Sequence, residues 1–88
     1  MLVPLTRREI ALAISWRPEP FWPDEERLLR RLRQALGGAG GVSLTRLQAQ
    51  ILAGWAEQLV SGHYGRAAAA PEERAILDKL RVALDQQP

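Results

Sequence analysis

The side chains that most often perform chemistry are nearly absent: the chain has one histidine and no cysteine. His63 sits between glycines in Ser61-Gly62-His63-Tyr64-Gly65, with no second histidine, no thiolate and no nearby acid to complete a zinc set. As a general base it would need an orienting partner and a nucleophile, and Ser61 two residues away suggests neither. His63-Tyr64 reads as a surface turn. The lack of cysteine excludes a disulfide framework, a thiolate metal site and a cysteine nucleophile together. Gly37-Gly38-Ala39-Gly40-Gly41 lacks the Gly-Lys-Ser/Thr ending of a phosphate-binding loop and follows a helix, so it reads as a flexible connector. Without convergent titratable groups, no catalytic residue, metal ligand or cofactor is assigned, no small-molecule substrate is expected, and the chain is not expected to be an enzyme.

Binding chemistry remains. Arg27, Arg30 and Arg31 form an outward basic face able to pair with phosphates or an acidic partner, against the plainer reading of a solvated face in which Glu26 and Arg30 pair four residues apart. Phe21 and Trp22 lie in Trp16-Arg17-Pro18-Glu19-Pro20-Phe21-Trp22-Pro23, a proline-braced linker. Such a segment either folds back as a lid on its own core, the more common outcome, or presents a rigid recognition surface at small entropic cost. Trp16 and Trp55 end apolar stripes and are expected to be core anchors.

The elements that position these residues follow from an internal alignment. At an offset of 39, Leu5-Thr6-Arg7 meets Leu44-Thr45-Arg46 and Trp16 meets Trp55; at an offset of 48, Pro23, Glu25, Leu29, Leu32, Arg33, Ala35 and Leu36 meet identical residues. Eleven identities in twenty-six positions exceed the two or three expected of a chain this rich in Leu, Ala and Arg, and point to a duplicated helix pair. Copy one spans 5–37 and copy two 44–85, with an inserted loop at 62–70. Thr6-x-x-Glu9 and Thr45-x-x-Gln48 have the spacing of capping boxes, each Thr worth about 1 kcal/mol.

Helices are expected from about Thr6 to Trp16, Pro23 to Gly37, Thr45 to Ser61 and Pro71 to Leu84, bounded by Pro18, Pro20, the glycines and Gly62. Their stripes are Ile10, Leu12, Ala13, Ile14 and Trp16; Leu28, Leu29, Leu32, Ala35 and Leu36; Leu47, Ile51, Leu52, Trp55 and Leu59; and Ile76, Leu77, Leu80, Ala83 and Leu84. Gly54, inside the third helix, is expected at a close helix crossing. β-branched and aromatic residues are sparse, so no sheet is expected.

These features define an all-α fold, a four-helix arrangement of two αα-hairpins within one domain over 1–88. The net charge of +2 arises in residues 1–43, where seven arginines face five acids, while residues 44–88 balance. Any basic patch therefore lies in the first half. The apolar start of the chain is followed rather than preceded by its basic pair, the reverse of a secretory signal, and no segment reaches the roughly 18 apolar residues of a membrane span. A cytoplasmic location without membrane contact is expected.

A helix-turn-helix is disfavoured, because a long loop separates the last two helices and a proline-rich linker precedes the arginine helix. The expected function is a non-catalytic protein-interaction module, such as an adaptor, small regulatory subunit or assembly factor, using Phe21, Trp22, Arg27, Arg30 and Arg31. A nucleic-acid-associated factor using the arginine face is the alternative. So small a core also favours a homodimer or burial against a larger partner.

Overall fold

The computed structural model describes residues 1–16, 19–38, 40–60 and 71–86. Along the chain run β1 (Leu2–Val3), α1 (Arg7–Trp16), α2 (Pro23–Leu36), β2 (Val42–Ser43), α3 (Arg46–Val60) and α4 (Pro71–Gln86). The fold is all-α, with four helices and one two-stranded ribbon among the described residues. None of these helices is long and apolar enough to cross a membrane.

Local chemistry sets the helix starts. Thr6 donates its amide to Glu9 Oε1 at 2.8 Å while Glu9 N donates to Thr6 Oγ1 at 3.1 Å; Thr45 and Gln48 repeat the exchange at 3.0 and 3.1 Å. Both capping boxes therefore close reciprocally. Pro23 and Pro71 open α2 and α4, where a missing amide hydrogen costs nothing.

The core is shared by all four helices. Ile10 and Ala13 of α1, Leu28, Leu29 and Leu32 of α2, and Ile76, Leu77, Leu80 and Ala83 of α4 are buried, with Leu12, Ile14, Trp16, Ala35, Leu36, Ile51 and Leu84 packed around them. In α3 the buried face is rotated from the expected stripe. Ala49, Leu52, Ala53, Trp55 and Ala56 are inside, whereas Leu47 is exposed, because small alanines let α3 approach α4, its main packing partner. The side chain of Leu59, the predicted stop at Ser61-Gly62 and the inserted loop with His63 and Tyr64 lie outside the described residues.

The ribbon corrects the expectation of no sheet. β1 and β2 pair antiparallel with Val3 opposite Val42 and Leu2 opposite Ser43, and Met1 and Leu44 exchange two 2.8 Å hydrogen bonds beside them. Val3 and Val42 are buried, so the pairing is driven by burial of two side chains rather than by strand propensity. Val42 is also the residue 39 positions after Val3, the offset that aligns the caps. Beside this pairing, Gly40 and Gly41 adopt φ of 101° and 77°, a region open to glycine, and Gly41 N donates to Leu5 O at 2.7 Å.

A largely buried ion pair joins the first and last helices. Lys79 Nζ donates to Glu9 Oε1 at 2.6 Å. Burial is the largest single influence on the Glu9 carboxyl and raises its pKa, yet the Lys79 ammonium and the Thr6 amide and hydroxyl together hold it below its ordinary value of 4.5.

Two outcomes follow. Gly54 has open space around a would-be Cβ, so there is no close crossing there, and Gly54→Ala should stabilise the fold by about 0.5 to 1 kcal/mol in urea melts. Because the folded Glu9 pKa is depressed, its contribution is complete above the unfolded value and is lost as pH falls through the folded one. The melting temperature should therefore drop on acidification below pH 4.5, and Glu9→Gln should make that drop shallower.

Candidate functional site

The linker between α1 and α2 is held by one side chain. Glu25, the third residue of α2 and only 8% exposed, accepts the amides of Phe21 and Trp22 on Oε1 at 3.0 and 3.2 Å. Its other oxygen accepts the indole N–H of Trp55 at 3.1 Å inside the core. The N-cap Trp22 has extended backbone and makes no side-chain cap bond, so what α2 shares with the Thr-capped helices is the reverse half of the box, the third residue's side chain accepting the cap amide, extended here to the Phe21 amide. Trp55 is 5% exposed and is the core anchor expected of it. Trp16 is half-buried, and among the described residues its buried Nε1 has no hydrogen-bond partner.

With their amides tied inward, the Phe21 and Trp22 side chains project outward. They are 79% and 62% exposed and pack on each other edge to face, with ring centroids 5.0 Å apart and planes at 76°. The common expectation that this segment folds back as a lid is thus corrected: the core is already closed by Trp55, Leu28 and Leu29, and the rings cover one another instead.

The structure divides the three arginines. Arg27 pairs with Asp24 at 3.5 Å, and both are exposed. Arg31 donates Nε to Ser43 O at 2.8 Å and so fastens α2 to the outer edge of β2. Arg30 faces a shallow groove lined by Pro20, Glu26, Arg33 and Gln34 on the side that carries the aromatic linker. Arg30 thus lines a groove that includes Pro20, the residue before the aromatic pair, while Arg31 is drawn toward β2. Arg33 was missed by sequence reasoning because it stands at the flank of the helical wheel; its i, i+3 spacing from Arg30 was the available signal.

A second apolar patch also escaped the sequence. Leu2 and Val82 are 70% and 56% exposed and flank a groove with Pro4, Lys79 and Ala83, between the edge of β1 and α4. Among the described residues no group of three His, Cys, Asp or Glu side chains converges as a metal-ligand set. No protein-family model, no curated protein and no solved structure matches this chain.

The two tryptophans should respond differently to the same change. Trp55→Phe removes a buried hydrogen bond to a buried carboxylate and should cost about 2 kcal/mol or more, whereas Trp16→Phe removes an unpaired donor and should cost under about 1 kcal/mol in denaturant unfolding.

Proposed function

We propose that the chain is a non-catalytic protein-interaction module that docks a partner on Phe21 and Trp22, with Arg30 further along α2. One observation carries this reading: two large aromatic side chains are exposed while their backbone is locked to a buried carboxylate. Exposed aromatics are costly unless used, and a rigid pair loses little entropy when it is covered. Trp is also the residue type most enriched where interface energy concentrates. The duplicated helix pair, read from the sequence, is the scaffold, and the aromatic linker is what one half has added to it.

The nucleic-acid reading has weaker support. Asp24 and Glu26 follow the aromatic pair at the start of α2, Arg27 is engaged by Asp24, and Arg31 is engaged by Ser43. A phosphate backbone laid on the rings would meet these acids before it reached Arg30. An adaptor or small regulatory subunit of the cytoplasm fits the same features, with a second copy of the chain or a larger protein as the partner.

The test uses the full chain as bait, comparing wild type with Phe21→Ala/Trp22→Ala and with Leu47→Ala, an exposed leucine far along the chain from the linker. Because the altered side chains are exposed, all three should unfold within about 0.5 kcal/mol of one another. The aromatic variant should lose the captured proteins that Leu47→Ala retains; identical captures by all three, with folding intact, would remove the linker from the interface.

A further inference from the structure

We infer that the partner segment received at Phe21 and Trp22 is apolar where it meets the rings and acidic further along α2, an inference that rests on the interaction reading above. α2 carries its charges in two blocks: Asp24 and Glu26 lie next to the aromatic pair, and Arg27, Arg30, Arg31 and Arg33 follow. Arg27 and Arg31 are occupied by Asp24 and by the Ser43 carbonyl. Arg30 and Arg33 have neither an ion pair nor a hydrogen bond among the described residues, and both line the groove with Pro20, Glu26 and Gln34. One carboxylate thus faces two guanidinium groups, which leaves the groove positive.

The other half of the chain supplies the comparison. Arg81, 48 residues after Arg33, pairs with Glu57 at 3.5 Å. The position 39 residues before Glu57 holds Pro18, which has no charge. Arg33 is therefore left without the counterion that its matching arginine has. The residues before Pro71 are Ala69 and Ala70, where the residues before Pro23 are Phe21 and Trp22, so the bare arginine and the aromatic pair occur together in one half.

Distance sets the layout of the partner. At a rise of 1.5 Å per residue, Arg30 and Arg33 lie roughly 12 and 16 Å along the axis from Trp22. The complementary segment presents an aromatic or aliphatic anchor and, two to three helical turns away, carboxylates that the planar guanidinium groups can take in paired hydrogen bonds. Its charge runs opposite to that of α2, so Asp24 and Glu26 lie beside the anchor and discourage acids there.

The experiment pans a phage-displayed library of short random linear peptides against the immobilised full chain, with Trp22→Ala and Arg30→Glu/Arg33→Glu in parallel. Wild type should enrich peptides in which an aromatic residue or leucine is followed or preceded, at a distance, by Asp or Glu. Synthetic versions should lose about tenfold or more in affinity for the charge-reversed chain and regain it when their acids are replaced by lysine. Apolar peptides with no excess of acid, or equal binding by the charge-reversed chain, would overturn the acidic assignment and leave the docking reading standing. Peptides that bind Trp22→Ala as well as wild type would overturn the docking reading itself. A single-stranded RNA that binds wild type more tightly than every enriched peptide at the same salt would overturn the choice of a protein partner.

Discussion

A buried carboxylate has to be satisfied, and the way Glu25 is satisfied governs the rest of the molecule. Three of its hydrogen bonds come from two consecutive linker amides and from the indole of a helix distant in sequence. An acid taken out of water without such donors would cost several kcal/mol, so the linker, the start of α2 and the middle of α3 are fixed as one unit. The same residue type recurs at the third position of other helices. Glu9 and Glu73 are buried at the third positions of α1 and α4, and Gln48 takes that place in α3. In α1 and α3 the cap is a threonine, which accepts the third residue's amide in return; in α2 the cap is a tryptophan, which offers no such acceptor, and the carboxylate takes the amides of Phe21 and Trp22. Freed from capping, the Trp22 side chain faces solvent.

A second constraint comes from the ribbon. Two valines bury each other between the strands, and one cation from each half secures the helix beside its strand or cap. Arg31 holds the carbonyl of Ser43, and Lys79, the residue at the matching position, holds Glu9. These bonds fix where the two side chains lie. Arg30 and Arg33, further along α2 from the aromatic pair, make neither an ion pair nor a hydrogen bond among the described residues.

The legible parts of this fold are those set by neighbours in sequence. Caps at Thr6 and Thr45, proline starts at Pro23 and Pro71, and the leucine stripes of α2 and α4 follow from spacing alone, because each depends on contacts within a few residues. The ribbon was not legible: two residues give no alternation, and the pairing joins Val3 to Val42 across the chain. Nor was the face of α3, where alanines of low hydrophobicity are buried by the approach of α4 while Leu47 is left outside. The candidate site was half legible. Residue types picked out Phe21, Trp22 and Arg30, but only the carboxylate geometry shows the rings turned outward, and only the strand position shows Arg31 engaged.

Amide hydrogen exchange at Phe21 and Trp22 reaches this account most directly. If Glu25 locks the linker, both amides exchange as slowly as those in the middle of α2, although the side chains they belong to are exposed. Exchange of both amides at the rate of an unstructured peptide, while α2 stays protected, would contradict it.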